Sequence, residues 1–190
     1  MTTALRTLAE KVIALHRSLN DAGLTHAFGG AFALAYCTTD PRATRDIDIN
    51  VFVSPSEVDT MSAGLPCGVE MTEKNRRELS RDGQSRLWWD DTPLDIFLSN
   101  HSFHDQVEEN RRFVSFAEIH DLPVLACSDL AVFKAFFGRA KDAIDIAAMV
   151  GAKAVDLNQL DRDVAALLGD TEQRAEFFAL VRSAVPDYEE

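Results

Sequence analysis

The chain has 190 residues, 46% hydrophobic and 26% charged, enough for one domain or one domain with a small appendage, and too apolar for a disordered polymer. Lys and Arg number 19 against 31 Asp and Glu, a formal net charge of -12 at pH 7, so nucleic acid is repelled at long range and any bound polyanion needs a local basic patch or a divalent cation. No apolar run approaches the ~20 residues that span a bilayer, and Glu10 and Lys11 interrupt the N-terminus early, which predicts no membrane anchor, no secretory leader and a cytoplasmic protein.

Leu5, Leu8, Val12, Leu15 and Leu19 recur at helical spacing and Gly23 supplies a stop, which predicts an amphipathic N-terminal helix. Residues 25–28 read as a short strand ending at Gly29-Gly30, and residues 31–36 as an apolar helix that starts straight from the glycines. Residues 38–41 form a loop. Over 46–53 the chain alternates: Ile47, Ile49, Val51 and Val53 point one way, and Asp46, Asp48 and Asn50 the other. Ser54, Pro55 and Glu57 then make a helix start with a capping box. Residues 64–81 have room for a weak strand and a charged helix. Residues 86–89 and 94–99 read as two strands around the turn Asp90-Asp91-Thr92-Pro93, and 122–126 as one more. Beyond that the pattern turns helical. Ser128 caps a helix over 130–137, a second runs about 141–150 to Gly151, and Asp156 and Thr171 cap two others. The order predicts an α+β protein, with a core over 1–127 and a helical part over 128–190 packed on it without a Pro-, Gly- or Ser-rich linker.

Chemistry concentrates at Asp46-Ile47-Asp48. A spacing of two on a strand places both carboxylates on one face, roughly 6–7 Å apart. Two like charges held so close favour a cation between them, and Mg²⁺ suits carboxylates combined with substrate phosphates. A solvated polar strand face is the plain alternative. Gly29-Gly30 lie at a strand-to-helix junction, where bare backbone N–H groups approach a phosphate, although a tight turn needs the same residues. Arg42-Ala43-Thr44-Arg45 brings cations and a hydroxyl toward the acidic strand. Asp95, in Pro93-Leu94-Asp95-Ile96-Phe97, supplies a further strand carboxylate able to join a metal pair and help deprotonate an attacking hydroxyl. Lys134, Arg139 and Lys141 either serve chemistry or pair with Asp142 and Asp145 on a solvated helix face. His101 and His104 read as surface or capping groups, and Trp88-Trp89 as core or a strand pair rather than a stacking platform. Cys37, Cys67 and Cys127 are widely spaced and odd in number, with no C-x-x-C pair. They predict no zinc site, no disulfide framework, and three small buried side chains in a reducing setting.

Taken together, Gly29-Gly30, Arg42-x-Thr44-x-Asp46-Ile47-Asp48 and the later Asp95 resemble the nucleotidyltransferase fold of DNA polymerase beta-like enzymes. Phe133-Lys134-Ala135 followed by Arg139-Ala140-Lys141-Asp142-Ala143-Ile144-Asp145 is similar to the Lys…Arg-x-Lys-Asp-x-x-Asp segment of the AbiEii and MenT-type nucleotidyltransferase toxins. The resemblance covers residues 26–150. It implies a mixed sheet flanked by helices, with a C-terminal helical bundle. It implies that Asp46, Asp48 and Asp95 hold Mg²⁺, for which Mn²⁺ can substitute. Gly29 and Gly30 would cradle the triphosphate, with Arg42, Thr44, Arg139 and Lys141 as further nucleotide contacts. Lys134 would neutralise phosphate, and Asp145 would complete the polar set or orient Lys134. Thr44 matches a Ser or Thr that some antitoxin partners phosphorylate. The implied reaction moves a nucleoside monophosphate from an NTP to a hydroxyl and releases pyrophosphate. The implied acceptor is an RNA 3′ end, that of tRNA above all, within a type IV-like toxin–antitoxin system. Enzymes that inactivate aminoglycosides or lincosamides share the same core motifs, and the negative charge suits a cationic aminoglycoside better than tRNA, so this acceptor class stays open. A non-catalytic nucleotide-binding module is a third reading, with the retained acids against it. The chain departs from the toxins mainly in being shorter than many of them.

Overall fold

Local signals start most of the elements. In the computed structural model, which describes residues 6–40 and 43–185, helix α1 (Leu8–Asp21) begins at Thr7, whose hydroxyl accepts from the Glu10 N–H while the Glu10 carboxylate accepts from the Thr7 N–H. Leu5, the first residue of the expected periodicity, lies outside the described residues. Strand β1 (His26–Phe28) runs through Gly29 into α2 (Gly30–Thr38), and the alternating segment forms β2 (Ile47–Val51). Ser54 and Glu57 close the expected capping box around a single 3-10 turn, Pro55–Glu57, which leads into α3 (Val58–Ala63). The charged stretch resolves into β3 (Val69–Glu70) and α4 (Glu73–Asp82), the latter capped by Thr72 and ended by Gly83 at φ 69°. Strands β4 (Gln84–Trp89) and β5 (Thr92–Leu98) follow as a hairpin, with Thr92 and Pro93 inside the second strand rather than in the turn. Helix α5 (Phe103–Glu109) and strand β6 (Arg112–Phe116) are additions to the expected elements, and β7 (Ile119–Val124) starts earlier than its apolar end suggested. Helices α6 (Cys127–Phe137), α7 (Ala140–Gly151), α8 (Leu157–Leu168) and α9 (Glu172–Ala184) complete the chain. Ser128 lies inside α6 and does not cap it; Ala126 takes that place without a side-chain hydrogen bond.

The described strands form one seven-stranded mixed sheet in the order β3-β4-β5-β2-β1-β7-β6. β2 with β5 and β1 with β7 run parallel, and the other neighbours antiparallel. Alternation gives the sheet a dry face: Phe28, Ile49, Val51, Leu87, Leu94 and Ile96 are 0% exposed there. Burying each such side chain contributes about 1.5–3 kcal/mol, which pins the register and forces the intervening residues to the other side. Helices α1 and α4 belong to the dry side. The Lys11 ammonium donates to Trp89 O and Thr92 Oγ1, both at 2.8 Å, and Asn75 Nδ2 donates to Ser85 Oγ at 2.9 Å.

By contacts the chain divides into two compact units. The first runs through Phe32 and from Ala43 to Leu125 and holds the whole sheet; the second takes Ala33 to Asp40 and continues from Ala126. In the second unit, α7 packs on α6 and α9, and α6 on α8, around Leu130, Ile146, Met149, Leu160, Phe178 and Val181. Asp161 joins two of its helices by pairing with Arg174 and Arg182. This unit also corrects the expectation for the cysteines. Cys37 on α2 and Cys127 on α6 form a disulfide with Cα atoms 5.7 Å apart, and Cys67 is exposed rather than buried. A pair 90 residues apart cannot be read from spacing; only the fold brings the two together.

Candidate active site

The pleat that buries Ile47 and Ile49 turns Asp48 to the open face of the sheet, and Asp46, just before the strand, lies near enough for its charge to act with that of Asp48 on Arg86. The parallel pairing of β2 with β5 sets Asp48 directly opposite Asp95, and the hairpin sets Arg86 opposite Asp95 on its other side. One row therefore crosses three strands: Arg86, Asp95, Asp48. The next row holds Trp88 beside Pro93, and the row on the other side holds Gln84, Phe97 and Asn50. The tryptophan pair is split by the pleat: Trp89 is buried, and Trp88 is 46% exposed on the acidic face.

Gly29 and Gly30 close this face from β1. The Gly29 N–H donates to Asp48 O at 2.8 Å. Gly30 has φ +52°, and a Cβ there would overlap the Asp48 carboxylate. Both facts demand glycine, the first residue of α2, beside the acid. Asn50 is buried against Gly29, and its Oδ1 has no hydrogen-bond partner among the described residues.

The charges are partly answered within the protein. Arg86 holds Asp95 through two parallel bonds, Nε to Oδ1 at 2.7 Å and Nη2 to Oδ2 at 2.6 Å. That bridge, with the added charges of Asp46 and Asp48, drives the Arg86 pKa upward and keeps the guanidinium protonated. The Thr44 hydroxyl donates to the Asp46 carboxylate. Asp95 thus meets a guanidinium rather than completing a three-carboxylate cluster, and among the described residues no three His, Cys, Asp or Glu side chains gather to hold a metal ion. The donor chemistry still fits Mg²⁺ or Mn²⁺. These ions take one or two carboxylates and draw their remaining oxygens from substrate phosphate and water, and Asp46 and Asp48 offer that pair beside a side-chain-free helix start.

In the second unit Lys134 is buried on α6, with Nζ 2.7 Å from Asp145 Oδ2 and 3.6 Å from Asp142 Oδ1. Asp142, 0% exposed, also accepts from Arg139 Nε at 2.6 Å. Lys134, Asp142 and Asp145 are buried together rather than lying on a solvated face, while Lys141 is exposed and the Arg139 side chain is half exposed. Arg42 lies outside the described residues. His104 is buried on α5 with its ring bonded to His101 O, so it is not a surface group, while His101 caps the start of α5, its Nδ1 accepting from the Phe103 N–H.

No protein-family model and no curated protein sequence matches the chain. Solved structures do. The antibiotic-resistance factor ANT(2'')-Ia in solution aligns at a TM-score of 0.61 and 12% identity, over 90% of this chain and 94% of its own. The crystal structure of ANT(2'')-Ia in complex with adenylyl-2''-tobramycin aligns at 0.59 and 10% identity, over 92% and 98%. An antigenic nucleotidyltransferase-like protein from Paracoccidioides brasiliensis aligns at 0.50 and 15%, over 95% and 97%. This is the nucleotidyltransferase fold. At such identities the likeness is one of fold alone.

Within the nucleotidyltransferase fold, Asp46, Asp48, Asp95, Gly29, Gly30 and Thr44 come together in the first unit, while Lys134, Arg139, Lys141 and Asp145 belong to the second. The sequence reading missed Arg86, Asn50 and the buried role of Asp142. Arg86 was within reach. Pairing Trp89 with Thr92 across a two-residue turn counts back to Arg86 against Asp95, a step hidden by placing Thr92 and Pro93 in the turn.

Proposed function

We propose that this protein is a divalent-metal-dependent nucleotidyltransferase that moves a nucleoside monophosphate from an NTP to a hydroxyl acceptor and releases pyrophosphate. One observation carries the reading: Asp48 stands in register with Asp95 on the open face of the sheet, against a helix start that admits only glycine. Asp46 and Asp48 are the residues that would hold Mg²⁺ or Mn²⁺, with Asp95 beside them; the bound ion offsets triphosphate charge and favours the ionised acceptor oxygen.

The chain's own groups supply position and proton transfer. The bare backbone at Gly29 and Gly30 lets phosphate oxygens reach the first N–H groups of α2, a nine-residue helix. Asp95 accepts the acceptor's proton; without nucleotide, the Arg86 fork holds that carboxylate. Thr44 orients Asp46. Lys134, steadied by Asp145, is assigned the neutralising of phosphate charge through the family resemblance, and Arg42, Arg139 and Lys141 are assigned further phosphate contacts on the same basis.

The resemblance to AbiEii and MenT-type toxins supports a tRNA 3′ end as acceptor and a cognate antitoxin. Phosphate on Thr44 would add about -1.5 to -2 charge next to Asp46 and oppose metal-nucleotide binding. A second acceptor, a cationic aminoglycoside or a lincosamide, is favoured by the net charge of -12 and by the acids on the open face. The ANT(2'')-Ia structure with adenylyl-2''-tobramycin adds support for that class. The test is incubation with each labelled NTP, Mg²⁺ and either bulk tRNA or an aminoglycoside panel. Label is expected on one acceptor class and is lost in Asp48→Ala; no label on either class overturns the reading. Growth arrest on expression, relieved by Asp48→Ala, points to the toxin, whereas reduced drug susceptibility without arrest points to the small molecule.

A further inference from the structure

Arg86 has a position that a merely structural arginine does not need. Its side chain is 52% exposed, while its partner Asp95 is 19% exposed. It lies in the same row as Asp95 and Asp48, and both of its bonds go to the carboxylate that flanks the acid pair. A guanidinium and a divalent cation compete for the same carboxylate oxygens, and two positive ions cannot share them without repulsion. The half-exposed guanidinium can swing to another anion, because water solvates it once it parts from Asp95. The fork that matches a carboxylate also matches a phosphate.

We propose that Arg86 is the resident counter-cation of this row: it keeps a divalent ion off Asp95 in the empty protein and gives way when a metal-bound triphosphate arrives. The inference rests on the reading of the site as a metal-dependent nucleotidyltransferase. It makes Arg86 a positioning residue that couples metal loading to nucleotide. Without nucleotide the ion meets Asp46 and Asp48 with a guanidinium alongside. With nucleotide, Arg86 exchanges the Asp95 carboxylate for a phosphate oxygen, and Asp95 is released toward the ion and the acceptor hydroxyl.

The experiment is a Mn²⁺ titration of the full chain in the absence of nucleotide, followed by electron paramagnetic resonance, on wild type, Arg86→Gln, Arg86→Lys, Asp95→Asn and the Arg86→Gln/Asp95→Asn double variant. Arg86→Gln is expected to bind Mn²⁺ at least fivefold tighter than wild type. The gain is expected to vanish in the double variant, because it depends on the freed Asp95 carboxylate. Arg86→Lys, which keeps the charge and loses the fork, is expected to stay within twofold of wild type. Unchanged or weaker Mn²⁺ binding by Arg86→Gln, with a native circular dichroism spectrum, overturns the proposal and leaves Arg86 as a hairpin brace. An Asp48→Asn variant separates the two levels. If it binds Mn²⁺ as well as wild type, the metal site itself is misassigned; if it loses the ion while Arg86→Gln gains nothing, only the counter-cation role fails.

Discussion

At Gly30 a positive φ and the Asp48 carboxylate exclude a side chain together, so this residue links backbone geometry directly to the proposed chemistry. Gly30→Ala must either displace Asp48 or shift the start of α2. The left-handed backbone alone costs about 1–2 kcal/mol for a non-glycine residue. Displacing the carboxylate by as little as about 1 Å is expected to lower labelled-nucleotide transfer on the order of 100-fold, while circular dichroism stays native. Lys11 presents the opposite case, a charge fully buried for structure. Its ammonium is 0% exposed and reaches Trp89 O, Thr92 Oγ1, Asp90 and Asp91, so it closes the β4–β5 turn from α1. This explains how an Asp-Asp turn with Asp90 at φ 54° is tolerated where Asn-Gly is the usual solution. Lys11→Met keeps the apolar stem and removes the donors, leaving Trp89 O and Thr92 Oγ1 unsatisfied. The expected loss is about 2–3 kcal/mol, read from urea unfolding at pH 7, with nucleotide transfer falling as the Arg86–Asp95 register loosens.

Elements are joined by equally specific contacts. His16 on α1 and His26 on β1 are buried with ring nitrogens 3.1 Å apart. The bond from His26 Nδ1–H to Leu24 O leaves His26 Nε2 as acceptor, so His16 donates through Nδ1 and accepts from Asn20 through Nε2. Both rings are therefore neutral. Burial pushes the His26 pKa down from 6.5 to about 4, and burial lowers that of His16 as well. The folded protein then binds fewer protons than the unfolded chain below pH 6.5, so stability falls as pH drops from about 6.5 to about 4, by up to about 3 kcal/mol from His26 alone. Urea midpoints at pH 7 and pH 4.5 test this: His26→Gln is expected to be less stable at pH 7 but to lose less on acidification than wild type. Neither histidine was legible as a pair in the sequence, because the contact joins a helix face to a three-residue strand. What could be read was local. The Asp46–Asp48 alternation, the glycine junction and the Ser54–Glu57 box each act over a few residues, and all three formed. Strand β6 was invisible because it has no buried alternation, being exposed or half-buried throughout. The Cys37–Cys127 bond depends on long-range packing, which no window of sequence contains, whereas the Arg86–Asp95 bridge follows only once the hairpin register is set.

On the scale of the molecule, a cross-link and a strong net charge act over the longest distances. Closing a loop of 90 residues stabilises by about 4.6 kcal/mol in the chain-entropy model. Thiol counting in denaturant is expected to find one free cysteine, Cys67, before reduction and three after it, with a lower urea midpoint once reduced. The charge bears on the acceptor. The chain carries -12, and an arginine-lined cavity of about 450 Å³, between Arg76, Arg77, Ser80 and Arg81, lies on α4. That helix packs on the dry side of the sheet through Asn75 and Ser85, away from Asp48 and Asp95. Two of those arginines are also already paired, Arg76 with Asp59 and Arg81 with Asp82. A polyanionic acceptor reaching the open face thus meets net repulsion, and a cationic one meets attraction. Salt screens both, since the Debye length shrinks from about 30 Å at 0.01 M to about 10 Å at 0.1 M. Raising ionic strength across that range is expected to lower kcat/KM several-fold for a cationic aminoglycoside and to raise it for tRNA. A steep fall for tRNA instead would mean that an RNA-binding basic surface outweighs the acidic face, and the tRNA reading would then stand against the charge argument.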